Sequence, residues 1–368
     1  MRTALMLARR GYGSASPNPM VGAVLVKQGK VIGKGWHHRA GCPHGEIEAL
    51  LNAKAQGNNP AGATLYVTLE PCCTHGRTPP CTEAIKAAGI KKVIVAATDP
   101  NPAHAGKAFK LLERAGIQIQ HGLLEAEVSR LNDAFNHWIV QRTPFVIVKA
   151  AMTLDGKIAM ASGESKWITG EKSRAYGMKL RQGADAILVG INTVLADDPS
   201  LTWRRTEGGG RKAEKSRLRR IILDSQARTP LKAKVVSDEF VGLTTVVVSK
   251  SAPVQRVKQL RKRGVNVLVA PERKGKIDLR WLLKRLGAEG VASLLVEGGG
   301  EVNASFLLAG YAHRVAFFYA PKILGGRDAR KGVAGEGIGK LADMIKLRDV
   351  EWRRLGEDLL LTGRVDGD

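Results

Sequence analysis

The segments Pro43-His44-Gly45-Glu46 and Leu69-Glu70-Pro71-Cys72, followed by Cys81, decide how the first part of this chain folds. One imidazole, from His44, and two thiolates, from Cys72 and Cys81, can hold a zinc ion in three positions and leave the fourth for water. Glu46 follows the histidine by two residues and is suited to move protons for that water. A purely structural zinc site has four protein ligands, so this pattern predicts a catalytic one.

The predicted ligands lie at the ends of alternating strands and helices. Hydrophobic spacing predicts strands at 20–26, 30–32 and 63–69, and helices at 43–55 and 81–88. His44 and Cys81 then stand at helix N-termini, where the helix dipole favours anionic groups. A helix is also predicted over 125–140. It leads to Arg142-Thr143-Pro144, the best candidate for a domain boundary.

A chain of 368 residues is long for one hydrophobic core, so two domains are expected. We place the first over residues 1–142 and the second over residues 143–368. The second domain has predicted strands at 145–150, 186–189, 220–223, 244–248, 265–269, 293–296 and 315–319. Because helical stretches lie between them, this half is also expected to be α/β, with one sheet and helices on its faces.

Composition limits the classes of function. With 44% hydrophobic and 25% charged residues, the chain is typical of soluble globular proteins, and no apolar run reaches the ~20 residues of a membrane helix. No export signal is recognised, so we expect a cytoplasmic protein. All four cysteines lie in the first quarter, which favours metal binding over a disulfide framework. The net charge of +24 indicates anionic partners or many solvated basic faces.

The interval between the two cysteine ligands is unusual. Zinc deaminases commonly have two residues between these cysteines, whereas eight residues separate Cys72 from Cys81 here. The interval adds a loop beside the predicted metal site. It carries Arg77, which is suited either to grip a phosphate through two hydrogen bonds or to remain a solvated loop residue.

With its neighbouring motifs, the zinc pattern resembles the bifunctional riboflavin-biosynthesis deaminase/reductase family. The motifs are Pro17-Asn18-Pro19-Met20-Val21-Gly22, Gly35-Trp36-His37, Pro43-His44-Gly45-Glu46, Leu69-Glu70-Pro71-Cys72 and Gly76-Arg77-Thr78-Pro79-Pro80-Cys81. The resemblance implies a cytidine-deaminase-like α/β/α domain that deaminates 2,5-diamino-6-ribosylamino-4(3H)-pyrimidinone 5′-phosphate. It also implies zinc on His44, Cys72 and Cys81, Glu46 as proton shuttle, Asn18 and His37 against the substrate, and Arg77 against its phosphate.

The second half lacks the Gly-x-Gly-x-x-Gly of a standard dinucleotide-binding fold. A strand at 294–296 runs instead through Glu297 into Gly298-Gly299-Gly300 and a predicted helix at 302–308. Glycines before a helix allow backbone amides to approach a pyrophosphate closely. A strand-to-helix turn also needs glycine for conformational reasons alone, so the motif leaves both interpretations open.

This half resembles the reductase domain of the same family, which implies a dihydrofolate-reductase-like α/β fold, NADPH, and reduction of the ribosyl group to ribityl. The implied cofactor contacts are Ala151, Trp167, Thr193, Asp197, Ser225, Gly299, Gly300, Glu301, Val302, Asn303, Ala304 and Ser305. The implied substrate contacts are Ser165, Arg181, Leu201, Arg204 and Glu297. Lys149 and Asp197 are implied to assist opening of the ribosyl ring.

Two other functions remain open at this point. A zinc nucleobase deaminase acting on nucleic acid would fit the net charge and would bind with steep salt dependence. A non-enzymatic, zinc-stabilised binding protein would use four ligands, with Cys73 as the fourth. The resemblance favours an enzyme that uses Zn²⁺ and NADPH on a small phosphorylated pyrimidine. It implies a homo-oligomer, with a dimer favoured, and no nucleic-acid or membrane partner.

Overall fold

The computed structural model describes residues 1–75, 79–203 and 217–366. The chain divides into two compact units, Met1–Arg142 and Thr143–Asp368. Among the described residues, no helix has the length and apolar character that a membrane crossing requires.

The first unit is built on a sheet of five strands, counted in the described residues. The strands are β1 (Gly22–Lys27), β2 (Lys30–Trp36), β3 (Thr64–Leu69), β4 (Lys92–Ala97) and β5 (Gln118–His121). Their order is β2-β1-β3-β4-β5, with β1 antiparallel to both neighbours and β3, β4 and β5 parallel. Six helices accompany them: α1 (Arg2–Ala8), α2 (Gly45–Ala55), α3 (Cys81–Ala87), α4 (Lys107–Arg114), α5 (Glu125–Leu131) and α6 (Asp133–Gln141).

Two glycines let α2 lie unusually close to the sheet. A Cβ on Gly35 of β2 would collide with the Ala49 backbone nitrogen of α2, and a Cβ on Gly33 would collide with the Ala49 carbonyl. Only glycine permits so close an approach of helix to strand. The N-terminus of α2, which carries the predicted histidine and glutamate, is thereby fixed against the core.

The second unit contains, within its described part, a sheet of nine strands ordered β11-β10-β9-β8-β14-β6-β15-β18-β17. The elements are β6 (Phe145–Thr153), β7 (Lys157–Ala159), α7 (Glu171–Gln182), β8 (Ala186–Gly190), α8 (Ile191–Asp197), β9 (Arg219–Leu223), α9 (Lys234–Ser237), β10 (Thr244–Val248), α10 (Val254–Lys262), β11 (Asn266–Val269), β12 (Glu272–Arg273), β13 (Lys276–Ile277), α11 (Leu279–Ala288), β14 (Ser293–Val296), α12 (Gly300–Leu308), β15 (Arg314–Ala320), β16 (Arg330–Lys331), β17 (Leu347–Leu355) and β18 (Asp358–Val365).

All neighbours from β11 to β15 pair in parallel, and β18 and β17 add an antiparallel edge. The central parallel strands are almost fully buried, as expected for a sheet covered on both faces. The seven strands predicted for this half are confirmed. The hairpin of β17 and β18 was not predicted, because β17 is exposed and charged along its length.

One prediction in the first unit was wrong. The helix expected over 125–140 is two helices, α5 and α6, separated at Asn132. Asn132 has φ −106° and ψ 20°, outside the helical range, and its side chain is buried. The Asn132 side chain is hydrogen-bonded to the backbone of Met20, in a distant segment of the same unit.

Candidate functional site

Three side chains meet at the C-terminal end of β3 and the N-termini of two helices. His44 caps α2, Cys72 follows β3, and Cys81 is the first residue of α3. The His44 Nδ1 atom lies 3.5 Å from Cys72 Sγ and 3.3 Å from Cys81 Sγ. All three ligand atoms lie within 4.8 Å of one another. The elements that were predicted to converge therefore do so.

These separations fit a zinc ion. With zinc–sulfur bonds near 2.3 Å and zinc–nitrogen bonds near 2.05 Å, tetrahedral ligands stand roughly 3.6 Å apart. Hydrogen bonds from the Cys81 thiol and from His44 lower the pKa of Cys72 to about 4. The hydrogen bond between the two cysteines also raises the pKa of Cys81. One of the two thiols is thus already disposed to ionise. Metal binding releases the remaining proton.

Cys73 is not a member of this ligand group as the described residues define it. Its Sγ atom lies instead 3.5 Å from Nδ1 of His104. A site with three protein ligands leaves a position for water, whereas the binding-protein alternative required Cys73 as a fourth ligand. The geometry therefore favours a catalytic centre.

Glu46 lies in the first turn of α2 and is only 3% exposed. Its Oε2 atom has no hydrogen-bond partner among the described residues. Burial raises the pKa of Glu46 to about 7, against the opposing charge of His44. A buried carboxylate oxygen left unpaired beside three metal-ligating atoms is the arrangement expected of a group that exchanges protons with a bound molecule.

Asn18 and His37, two predicted substrate contacts, are hydrogen-bonded to each other. His37 Nδ1 lies 3.0 Å from the Pro43 carbonyl oxygen, so Nδ1 carries the proton and donates. Burial lowers the pKa of His37, which keeps the ring neutral and makes Nε2 an acceptor. Asn18 Nδ2, 3.1 Å away, must then donate to Nε2. This fixes the amide of Asn18 with its oxygen turned away from the ring.

A cluster of one anion and two cations forms in the second unit. Glu297 follows β14 and accepts two hydrogen bonds from Arg181 of α7, at 2.8 Å each. Lys149 of β6 lies 3.7 Å from the same carboxylate. Burial alone would raise the pKa of Glu297, but the charges of Arg181 and Lys149 outweigh it and hold the pKa at about 2. Arg181 also donates to the Thr202 carbonyl oxygen at 3.1 Å.

Two other predicted residues of this half are in direct contact. The Ser165 hydroxyl donates to Asp197 Oδ1 at 3.0 Å, at the last residue of α8. Thr193 of the same helix lies close to Gly299, since a Cβ built there would be 4.0 Å from its hydroxyl. The structure therefore places Ser165, a predicted substrate contact, against Asp197. It also places Thr193, a predicted cofactor contact, near the glycine turn.

The glycine turn begins α12, two residues earlier than predicted. Gly299 is extended, and α12 begins at Gly300, where a Cβ would collide with the Lys331 carbonyl oxygen. Asn303 and Ala304 face the interior, and Asn303 donates to the Gly332 carbonyl. Ser305 bonds Glu301 within the helix. Because most of these side chains are engaged, the turn offers a ligand mainly its backbone amides.

Trp167 is 67% exposed, yet its segment is tightly held. Lys322 Nζ donates to the Trp167 carbonyl at 3.3 Å and to the Ile168 carbonyl at 2.8 Å. Arg174 lies 4.7 Å from the centroid of the Trp167 ring and donates to the Thr169 carbonyl at 2.7 Å. An exposed aromatic ring on a fixed backbone suits the stacking of a planar ligand. Sequence reasoning assigned no role to either Lys322 or Arg174.

Five predicted residues remain, namely Ala151, Leu201, Arg204 and Ser225 of the second half of the chain and Arg77 of the first. Ala151 lies in β6, and Ser225 follows β9, with its carbonyl oxygen accepting from Ser249. Leu201 is buried with a left-handed φ of 50°. Arg77 and Arg204 lie outside the described residues.

Comparisons with known proteins match both units. The cytidine and deoxycytidylate deaminase zinc-binding region matches residues 1–97, and the RibD C-terminal domain matches residues 144–361. The riboflavin biosynthesis protein RibD of Actinobacillus pleuropneumoniae is 44% identical over 363 residues, which cover 98% of this chain and 93% of that protein. Its counterpart from Escherichia coli strain K12 is 41% identical over 369 residues, covering 98% and 97%.

Solved structures agree. RibD of Acinetobacter baumannii superposes with a TM-score of 0.88 at 36% identity, covering 100% of this chain and 98% of that one. A diaminohydroxyphosphoribosylaminopyrimidine deaminase/5-amino-6-(5-phosphoribosylamino)uracil reductase from Thermotoga maritima superposes with a TM-score of 0.81 at 34% identity, covering 100% and 97%.

The predicted fold class is confirmed, with a cytidine-deaminase-like first domain and a dihydrofolate-reductase-like second domain. Zn²⁺ and NADPH are the cofactors that fit this pair, and the donor set of His44, Cys72 and Cys81 suits the zinc. The substrate is a small pyrimidine. The chain belongs to the RibD family of bifunctional deaminase/reductases of riboflavin biosynthesis.

Proposed function

We propose how the two reactions of this family are divided among the residues of the chain. The deamination of 2,5-diamino-6-ribosylamino-4(3H)-pyrimidinone 5′-phosphate would take place at His44, Cys72 and Cys81. Zinc, when these side chains bind it, supplies Lewis-acid activation of a water molecule. The observation that carries this proposal is the buried Glu46 beside the three ligand atoms, with an oxygen that has no hydrogen-bond partner among the described residues.

Glu46 takes the proton that water loses and delivers it to the amino nitrogen. The carbon–oxygen bond forms, the carbon–nitrogen bond breaks, and ammonia leaves. Asn18 and His37, which are hydrogen-bonded to each other, contact the substrate. Arg77 binds its phosphate, as the chemistry of a guanidinium and the position of Arg77 between the cysteine ligands suggest.

The second reaction uses hydride from NADPH to convert the ribosyl group to ribityl. We place the cofactor against Ala151, Trp167, Thr193, Asp197, Ser225 and the turn and helix of Gly299, Gly300, Glu301, Val302, Asn303, Ala304 and Ser305. The exposed ring of Trp167 and the glycine turn at the N-terminus of α12 support this placement.

The substrate of the second step contacts Ser165, Arg181, Leu201, Arg204 and Glu297. Lys149 and Asp197 assist opening of the ribosyl ring. The charge cluster supports the assignment, because Glu297 holds the Lys149 ammonium in place at 3.7 Å, and Ser165 touches Asp197 directly.

The product of each step tests this assignment. The pyrimidine phosphate is supplied with and without NADPH, and product masses are recorded before and after zinc is removed by a chelator. We expect chelation to abolish deamination while NADPH-dependent reduction of the deaminated intermediate continues. Deamination that persists in fully zinc-free protein would refute the role of His44, Cys72 and Cys81.

We also propose a cytoplasmic homodimer that does not bind nucleic acid. Four free cysteines, two of them zinc ligands, suit a reducing compartment. Trp352, which is 60% exposed on the edge strand β17, supports a contact with a second copy through its aromatic ring. Light scattering tests the dimer. Deamination inhibited by RNA at physiological salt would contradict the absence of a nucleic-acid partner.

A further inference from the structure

Asn132, the residue that separates α5 from α6, contacts a distant segment of the same unit. Asn132 is 3% exposed and faces Met20, which is 112 residues away in sequence. The Met20 N–H donates to Asn132 Oδ1 at 2.8 Å, and Asn132 Nδ2 donates to the Met20 carbonyl at 3.1 Å. One side-chain amide thereby satisfies both backbone groups of Met20, as a paired strand residue would.

Met20 lies within the segment that carries Asn18. On one side, Asn18 donates from Nδ2 to His37 Nε2 at 3.1 Å. On the other side, the Val21 carbonyl accepts from the His37 N–H at 2.8 Å. Asn132 therefore holds the backbone at Met20, between the contacts that Asn18 and Val21 make with His37. If the Asn132 amide were removed, Met20 could shift, and the Asn18 side chain would shift with it.

We propose that Asn132 is a positioning residue for the deamination reaction. It fixes the segment 18–21 so that Asn18 Oδ1, which points away from His37, accepts a hydrogen bond from an N–H group of the pyrimidine. The inference rests on the proposed function in one respect, namely that Asn18 contacts the substrate. Asn132 lies beyond residue 97, where the match to the zinc-binding deaminase region ends.

The chemistry of the pair supports a geometric role. The Asn18 amide cannot be reversed without placing its oxygen against the unprotonated Nε2 of His37. Its orientation is therefore set, and only its position depends on the backbone. A shift of about 1 Å in such a contact weakens binding of the substrate before it affects the zinc ligands, which lie on other elements.

The test uses the full-length protein. Asn132→Leu removes both hydrogen bonds at similar volume, and Asn132→Asp keeps only the acceptor for the Met20 N–H. We expect Asn132→Leu to raise KM for deamination about tenfold, with kcat within about threefold and zinc content unchanged, and Asn132→Asp to fall between. Reduction of the deaminated intermediate by the same protein should be unchanged, which shows that the second unit is folded, and the unchanged zinc content shows the same for the first unit.

Asn136→Leu is the matched control, because this neighbouring asparagine donates to the Ser129 carbonyl within the helix pair and not to Met20. We expect its KM to equal that of the wild type. An unchanged KM in Asn132→Leu would overturn the proposal, as would an equal loss in Asn136→Leu. A parallel fall of zinc content, kcat and reductase activity would also overturn it, since that pattern marks general destabilisation.

A double-mutant cycle with Asn18→Ala separates this proposal from the one on which it rests. If Asn132 acts through Asn18, then Asn132→Leu adds no further increase in KM to Asn18→Ala. Independent, multiplying increases would refute the route through Asn18 and leave the substrate contact intact. No effect of Asn18→Ala on KM would instead refute the substrate contact itself.

Discussion

Replacing Glu297 by glutamine removes the carboxylate that Arg181 and Lys149 share. Its side chain is only 10% exposed, and those of the two cations are 15% and 20% exposed. The substitution keeps the shape of the side chain but leaves two partly buried positive charges without their anion. Breaking a buried ion pair from one side is strongly destabilising, because the remaining charge is neither solvated nor paired.

The magnitude follows from the pKa of Glu297, which is about 2 in the folded protein and ordinarily 4.5. Since a tenfold change in proton affinity corresponds to about 1.4 kcal/mol, the ionised group contributes about 3 kcal/mol. The pKa is depressed, so the contribution is complete well above pH 4.5, begins to decline at about pH 5.5 and is lost as the pH falls towards 2. The wild type should lose about 1 kcal/mol of it between pH 6.5 and pH 4.

Urea unfolding, followed by amide hydrogen exchange in peptides from β14 and β6, reports the second unit alone. Glu297→Gln should unfold about 3 kcal/mol more easily at pH 6.5 and should lack this part of the pH dependence. Glu289→Gln is the control, because Glu289 pairs with Arg219 and Arg285 at the surface and should cost at most about 1 kcal/mol. Equal pH dependence in the wild type and Glu297→Gln would refute the reasoning.

Three further changes separate the two active sites. Gly300→Ala should abolish NADPH binding in a fluorescence titration, because its Cβ would collide with the Lys331 carbonyl oxygen. Gly299→Ala is the milder comparison, because its Cβ would meet only the Thr193 hydroxyl at 4.0 Å, an ordinary contact, and it should retain NADPH binding. Glu46→Gln should keep its zinc by elemental analysis and reduce the deaminated intermediate, but lose deamination by about 10²-fold or more. Lys322→Met should raise KM for NADPH about tenfold, because the carbonyl oxygens of Trp167 and Ile168 lose their donor. Lys340→Met, at an exposed lysine, is the control and should leave KM unchanged. Deamination should be unaffected in both variants.

Local patterns in the sequence were sufficient to predict the zinc ligands and the buried strands. His44, Cys72 and Cys81 each sit at a strand end or helix start, and such positions follow from hydrophobic spacing. The pairing of Arg181 with Glu297 joins residues 116 apart and depends on which strand lies beside which helix. No spacing rule supplies that information, so Arg181 was assigned to the substrate alone although most of its donors bind protein atoms.

The interruption at Asn132 escaped prediction for a different reason. The stretch 125–140 has the periodicity of one helix, and asparagine is tolerated inside helices at modest cost. What breaks the helix is a tertiary contact, because the two hydrogen bonds to Met20 require the side chain to leave the helical direction. Tertiary contacts of this kind override local propensity and are visible only once the fold is known.

The two buried glutamates show how one chain can obtain opposite behaviour from the same side chain. Both lie in the interior, so burial opposes ionisation in each. Both Glu297 oxygens are bound by cations, so this carboxylate stays charged and can only orient what surrounds it. In the part of the chain that the structure describes, one Glu46 oxygen has no hydrogen-bond partner, which leaves it open to a proton from a bound molecule. The difference lies in the neighbouring side chains, and it supports the proposal that Glu46 transfers the proton while Glu297 keeps a fixed charge.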